Sequence, residues 1–171
     1  MCVELILGGA RSGKSHFAQQ RALQSGLEVI YIATATANDA EMAARIAYHQ
    51  QNRPIHWQTV EAPVYLAETL HTYAHPKTCL LVDCLTLWLN NCLFESTAGW
   101  ETQRQLLLAQ IANLPGQQIL VSNEVGQGIV PLGAVSRQFV DESGRLHQAL
   151  AKLADRVFWV VAGLPQVLKG A

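Results

Sequence analysis

Val3-Glu4-Leu5-Ile6-Leu7 runs directly into Gly8-Gly9-Ala10-Arg11-Ser12-Gly13-Lys14-Ser15, and a helical pattern follows from Ser15 to about Ser25. The first five residues have the composition of a buried strand. The next eight fit G-x-x-x-x-G-K-[ST] in the strand–loop–helix setting that motif requires. A polyphosphate needs several backbone N–H groups converging on it, and glycines let the chain turn around it without Cβ collisions. The helix that starts at Lys14 offers its positive end to the anion, Lys14 reaches the terminal phosphates, and Ser15 supplies a hydroxyl for magnesium. The stretch predicts a nucleoside triphosphate site.

Outward from it, short β-rich apolar runs alternate with helical patterns. Strands are expected at Glu28–Ile32, Thr78–Val82, Gln118–Ser122 and Arg156–Val161, with a further short one in Ile55–Glu61 that puts Ile55, Trp57 and Thr59 on one face. Helices are expected from Asp39 to Gln51, where Asn38 and Glu41 have capping-box spacing and Pro54 stops the helix. Others are expected at Pro63–Ala74, Leu85–Phe94, Trp100–Leu114 and Ala134–Ala154. Val125–Gly133, with three glycines and Pro131, is a loop, and Gly163 with Pro165 begins a short tail. Unbroken rather than alternating apolar runs imply an α/β fold: a mostly parallel sheet with helices on both faces, here of the P-loop NTPase (RecA-like) class, in a single domain over residues 1–171. Ligands then bind at the carboxyl ends of the strands.

Half of the 171 residues are hydrophobic and only 15% are charged, which favours a compact chain over a disordered one. The formal net charge of -1 argues against a broad nucleic-acid or anionic-membrane surface, so any anion site is a local cluster of arginines and lysine. No stretch approaches the ~20 apolar residues that span a bilayer, and no basic leader precedes the first strand, so a cytoplasmic protein is expected. Cys2, Cys79, Cys84 and Cys92 lack C-x-x-C spacing and predict four buried, reduced thiols.

Asp83 ends an apolar strand, the position of the acid that binds or orders the magnesium shell beside a phosphate loop. Glu41, Arg45 and His49 are spaced four apart on one ridge of the helix after Asn38, and Arg53 follows within a turn of His49. Such a ridge is either a solvated, ion-paired face or a cationic surround for a nucleophilic imidazole. Cations nearby lower the imidazole pKa and a helix C-terminus raises it. Asn123 and Glu124 stand at another strand exit. Arg137 and Arg145 fit phosphate contacts or surface positions equally. His16, His56, His71, His75 and His147 have no ligand spacing and read as structural or exposed. Trp57, Trp88 and Trp159 read as core or interface residues.

Several of these segments together resemble a known family. They are Gly8–Ser15, Tyr31-Ile32-Ala33-Thr34, the run from Asp39 through Arg45, His49, Arg53 and Pro54, and Trp57–Glu61. Leu81-Val82-Asp83-Cys84-Leu85-Thr86 and Asn123-Glu124-Val125-Gly126-x-Gly128-Ile129-Val130-Pro131 extend the match. Taken in order they cover nearly the whole chain. They are similar to the bifunctional adenosylcobinamide kinase/adenosylcobinamide-phosphate guanylyltransferase of cobalamin biosynthesis. The string from Asn123 to Pro131 is specific, whereas the phosphate loop is shared with many unrelated proteins.

The resemblance implies two reactions. The hydroxyl of the aminopropanol arm of adenosylcobinamide takes the γ-phosphate of ATP or GTP. A histidine then attacks the α-phosphorus of GTP, releasing pyrophosphate, and the cobinamide phosphate takes GMP from it to give adenosylcobinamide-GDP. By motif position that histidine is His49; some relatives carry a second histidine where this chain has Tyr48. The resemblance further implies nucleotide contacts from Gly8, Gly9, Ala10, Arg11, Ser12, Gly13, Lys14, Ser15, Ala33, Thr34, Ala35, Arg45, Gln50, Gln51, Asn52, Arg53, Glu61 and Asp83. Glu61 would read guanine, and Ser15 and Asp83 would hold Mg2+, directly or through water. The loop from Asn123 and Glu124 to Pro131 is either a plain glycine-rich connection or one that touches the phosphates or the corrinoid arm, with Asn123 and Glu124 as substrate contacts. A homotrimer is implied as well. Without the resemblance, the residues fit a simple P-loop small-molecule kinase or a nucleotide-binding regulatory module.

Overall fold

The computed structural model describes residues 1–36 and 54–170. The expected helix from Asp39 to Gln51, and with it Glu41, Arg45, His49, Gln50, Gln51, Asn52 and Arg53, lies outside the described residues. Numbered within these, the strands are β1 (Cys2–Gly8), β2 (Glu28–Ala33), β3 (Gln58–Glu61), β4 (Thr78–Asp83), β5 (Gln117–Asn123), β6 (Arg156–Val161) and β7 (Leu164–Lys169). The helices are α1 (Lys14–Gln24), α2 (Leu66–Tyr73), α3 (Leu85–Asn90), α4 (Trp100–Gln110) and α5 (Ala134–Leu153).

The seven strands form one sheet in the order β3-β2-β4-β5-β1-β6-β7. Every neighbouring pair is parallel except β6 with β7. Successive residues of a strand point to opposite faces, so a sheet covered on both sides needs unbroken apolar strands. Leu5, Leu7, Ile32, Val82 and Leu120 face one side with Leu66, Leu70, Trp88, Leu107, Leu146 and Leu150 of the helices. Ile6, Tyr31, Leu81, Val121 and Val160 face the other, where α1 packs through Ala18 and Ala22. Trp88 is fully buried and its indole donates to Val64 O at 2.7 Å; its ring meets Trp100 edge-on at 5.3 Å. Trp57 and Trp88 are core residues, and Trp159 is half-buried.

One charged residue interrupts the apolar run of β1. Glu4 is fully buried, and its carboxylate accepts from Arg21 of α1 and from Arg156 at the start of β6. A buried charge persists only when paired and hydrogen-bonded. The pairing ties the far end of α1 to the sheet, so the helix is fixed at both ends with the phosphate loop at the other.

The structure corrects the sequence reading in four places. The segment after Gly163 is β7 rather than a tail: it turns back at Ala162 and Gly163, both with positive φ, and pairs antiparallel with β6. Pro165 is tolerated because β7 is an edge strand. The third strand begins only at Gln58, so Ile55 lies before it and is exposed, while Trp57 is buried from a turn. The helix at Leu85 continues past Asn90 as a π turn, Asn91–Glu95. Finally, Cys2 is half-buried; only Cys79, Cys84 and Cys92 are buried, and all four thiols are free. Burial pushes the Cys79 and Cys92 thiols up to about 12 and Cys84 up to about 11, so these three are inert at neutral pH.

Candidate nucleotide and phosphoryl-transfer site

The loop from Gly8 to Gly13 leaves β1 where its two neighbours also end. Gly8 lies opposite Asn123 of β5 and Val160 of β6. A Cβ on Gly8 would stand 2.5 Å from Ser12 Oγ and 2.6 Å from Val160 O, so only glycine lets the loop fold back this tightly. Arg11 and Gly13 both take positive φ, 54° and 94°, which turns the backbone into a concave arc leading into α1. Ser12 N donates to Gly9 O at 3.3 Å and Phe17 N to Gly13 O at 3.0 Å, closing the arc at both ends. Gly163, at the tip of the β6–β7 hairpin, donates its N–H to Ser12 O at 2.8 Å. Because Val160 O belongs to the sheet and cannot retreat, Gly8→Ala should destabilise the fold by about 1–3 kcal/mol and weaken any nucleoside triphosphate binding by at least about tenfold. Urea unfolding and a GTP titration measure the two effects.

Lys14 is buried, and its ammonium arches over the loop to donate to Gly9 O at 3.0 Å. Burial lowers its pKa, and the Asp83 carboxylate acts against that shift. A lysine held this way is already oriented over the cradle that its loop encloses. Ser15, next along the helix, and Asp83, at the end of β4, are both half-buried. A hydroxyl and a carboxylate oxygen are hard donors of the kind magnesium takes, and the Asp83 carboxylate acts on Lys14, the residue next to Ser15. The residues fit that ion.

The other predicted positions line the same carboxyl edge. Ala33 ends β2 and pairs in register with Glu61 of β3, which is exposed. Ala35 is half-buried beyond it. Thr34 is fully buried, and its hydroxyl donates to Cys84 O at 2.7 Å while accepting from Cys84 N at 2.9 Å. Its carbonyl accepts from Asn91 Nδ2, which also reaches Pro63 O. Thr34 therefore fastens the exits of β2 and β4 together, and its side chain is not open to a ligand. Asn123 ends β5 beside Gly8 and donates its N–H to Thr86 Oγ1 at 2.7 Å. Glu124 N donates to Gly8 O at 3.0 Å, and its carboxylate accepts from Gly126 N at 2.6 Å. Arg137 is used by its own loop, donating to the carbonyls of Pro131 and Leu132, and Arg145 pairs with Glu142. Neither arginine is aimed at the cradle.

The matches to known proteins bear on this edge. The family profile described as cobinamide kinase / cobinamide phosphate guanyltransferase covers residues 4–168. The chain belongs to that family. It is 56% identical over 168 residues to the bifunctional adenosylcobalamin biosynthesis protein of Pseudomonas aeruginosa, covering 98% of this chain and 97% of that protein. The corresponding protein of Escherichia coli is 40% identical, with 96% and 98% covered. As a member of the cobinamide kinase / guanyltransferase family, this is a bifunctional enzyme of cobalamin biosynthesis that uses nucleotide substrates. Among solved structures, a protein of Pyrococcus horikoshii OT3 aligns with TM-score 0.55 at 10% identity over 98% of this chain and 86% of that one. The RadB recombinase aligns at 0.51 and 16% identity over 92% of this chain and 73% of that one. The ATPase domain of a third protein aligns at 0.51 and 15% over 92% and 68%. At such identities the likeness is one of fold, and it is the P-loop, RecA-like fold. Among the described residues no helix is long and apolar enough to cross a membrane.

One residue of this edge escaped the sequence reading. His147 of α5 is buried, its Nε2 2.7 Å from Ser122 Oγ and its Nδ1 3.5 Å from Glu124 Oε2. No spacing rule joins residues from β5 and α5, so only the fold brings them together. His16, His56, His71 and His75 lie outside the core as expected. Burial holds the His147 pKa below the usual imidazole range, with Glu124 opposing. The unfolded chain therefore binds a proton below about pH 6.5 that the folded chain does not, and by linkage stability falls as pH drops through that value. The loss levels off below the folded pKa. Urea midpoints measured from pH 8 to pH 5 should show this limb in the wild type and lack it in His147→Gln.

Proposed function

We propose that the enzyme carries out both of its reactions at the cradle of Gly8–Ser15, one at the γ-phosphorus and one at the α-phosphorus of a bound triphosphate. The observation that carries this reading is the cradle itself: a tightly closed glycine arc, a lysine already folded over it, and Asp83 and Glu124 at the adjoining strand exits. In the kinase step, the hydroxyl of adenosylcobinamide attacks the γ-phosphorus of ATP or GTP and a nucleoside diphosphate departs. In the second reaction, an imidazole nitrogen of His49 bonds to the α-phosphorus of GTP and pyrophosphate leaves. An oxygen of the cobinamide phosphate then displaces His49 to give adenosylcobinamide-GDP.

The covalent histidine splits one transfer between two bulky phosphates into two in-line displacements. Lys14, Arg45 and Arg53 offset charge on the phosphate oxygens as bonds change. The amides of Gly9, Ala10, Arg11, Ser12 and Gly13 hold the triphosphate in place, and Ala33, Ala35, Gln50, Gln51 and Asn52 complete the nucleotide surround. Glu61, exposed at the end of β3, can accept from the N1–H and amino group of guanine, which favours GTP over ATP. Ser15 and Asp83 are the residues that would hold magnesium, whose charge neutralises the phosphates. We assign the enzyme to the cytoplasm and to a homotrimer. Exposed Leu164, Val167 and Leu168 on β7 give apolar area for contact between copies, and equilibrium sedimentation measures the mass.

Labelled nucleotides test the reading. γ-Labelled GTP should pass its label to adenosylcobinamide, and α-labelled GTP should leave label on the protein that is stable in alkali and lost in acid. A wild-type enzyme that transfers γ-phosphate but never takes up α-label would overturn the guanylyl-histidine half.

A further inference from the structure

The exit of β5 is backed by a buried polar chain that the phosphate loop alone does not call for. Asn123 N donates to Thr86 Oγ1 at 2.7 Å, Thr86 Oγ1 lies 3.3 Å from Ser122 Oγ, and Ser122 Oγ lies 2.7 Å from His147 Nε2. Thr86, Ser122 and His147 are all buried, and His147 is only 5% exposed. A backbone N–H only donates, so Thr86 is free to pass its own proton to Ser122, and Ser122 to pass its own to Nε2. In that direction Ser122 donates to Nε2 and the proton of the ring falls on Nδ1, the nitrogen that faces the Glu124 carboxylate; Thr86, which also bonds Cys84, fits either direction. Among the described residues Nδ1 has no close hydrogen-bond partner in the interior, and it faces Glu124 Oε2 at 3.5 Å. Burial favours the neutral ring, which agrees with this tautomer, and among the described residues Glu124 is the charged group acting on it.

Glu124 is the residue that this chain addresses. Its backbone is hydrogen-bonded to Gly8, the first residue of the cradle, and its other carboxylate oxygen accepts from Gly126 N at 2.6 Å. The side chain keeps 20% exposure at the carboxyl edge. A carboxylate steadied on one oxygen by a loop amide and faced on the other by a buried imidazole still has lone pairs for a third partner.

We propose that Glu124 is the proton acceptor of the kinase step and that His147 is the residue that positions it. The proposal rests on the reading of the Gly8 cradle as the triphosphate site. In the step, the substrate hydroxyl oxygen forms a bond to the γ-phosphorus and the bond from that phosphorus to the β,γ-bridging oxygen breaks. The nucleoside diphosphate leaves with the electron pair, and the hydroxyl proton passes to Glu124. His147 touches no reacting atom and acts through the carboxylate.

Two conservative variants separate positioning from packing. His147→Gln keeps an amide near Ser122 but puts no donor at Nδ1, whereas His147→Asn places its amide near Nδ1. Turnover of γ-phosphate transfer should fall about 30-fold in the Gln variant and stay within about fivefold in the Asn variant, with KM for nucleotide moving less than about threefold in both. The Gln variant should still take α-label from GTP at the wild-type rate. Glu124→Gln should lower kinase turnover by about 10²–10³-fold, the range for loss of a general base, and it decides the case if the histidine variants do not fold. Equal losses in Gln and Asn, or a loss carried by KM, would overturn the positioning role. Kinase turnover of Glu124→Gln within about tenfold of wild type would overturn the proton acceptor. If the wild type bound no triphosphate at the cradle, the underlying reading would fall with the proposal; if it binds and transfers normally while the variants do too, only the proposal falls.

Discussion

His49→Ala should abolish the label that α-labelled GTP leaves on the protein, a loss of more than about 10³-fold, because a methyl side chain offers no nucleophile. The chemistry of the label makes the test specific. A phosphoramidate on imidazole survives alkali and is cleaved by acid, whereas an ester on a hydroxyl or phenol is comparatively stable in acid. Tyr48, the adjacent residue, carries a phenol, a group that is a poor nucleophile at neutral pH. Label on Tyr48 would also betray itself by surviving acid. γ-Phosphate transfer measured on the same preparation tells a lost nucleophile from a lost fold. Label of wild-type amount and acid lability in the alanine variant would move the nucleophile away from His49.

Lys14→Ala should lower both transfers by about 10²–10³-fold, the cost of removing one preorganised cation from developing phosphate charge. Here the effect should appear in both reactions, since both are proposed to take place at one cradle. Lys14→Arg should rescue little. The ammonium is buried against Gly9 O in a space that a planar, forked guanidinium does not match. The lysine is not part of either apolar core, so the thermal midpoint should stay within a few degrees of wild type. A variant that kept guanylylation while losing only kinase activity would show that the two reactions use different phosphate sites.

The sequence reading succeeded where one local pattern fixes one conformation. Gly8 to Ser15 announces its own geometry, because the glycines, the lysine and the following helix are contiguous. The apolar runs at Thr78 and Gln118 had to be strands of a covered sheet, and Asp83 and Asn123 at their ends followed. It failed where a partner elsewhere in the chain decides. Leu164–Lys169 carries Pro165 after Gly163, the marks of a tail, and becomes a strand only because β6 offers a free edge. The resemblance implies a nucleotide contact at Thr34, and what it does not tell is that Cys84, 50 residues on, takes both capacities of the hydroxyl. Asn91 spends its amide on Thr34 and Pro63 in the π turn, which no helical periodicity foretells. His147 has no ligand spacing in sequence; its partners Ser122 and Glu124 lie on and just beyond β5, the strand before its helix.

The position of β1 also has a bearing on when the enzyme can work. Its two sheet neighbours are β5 and β6, and Val3 N donates to Asp155 Oδ2 across 152 residues. β1 leaves the ribosome well before either neighbour, yet it is among the last strands to find its place, since both of its edges wait for chain that has yet to be translated. The arc that follows it waits further, for Val160 to wall Gly8 and for Gly163 to bond Ser12. During synthesis at about 5–20 residues per second, the phosphate motif lacks these two contacts until that hairpin emerges. At the proposed site, affinity for the triphosphate is therefore expected only once Val160 and Gly163 have closed the arc.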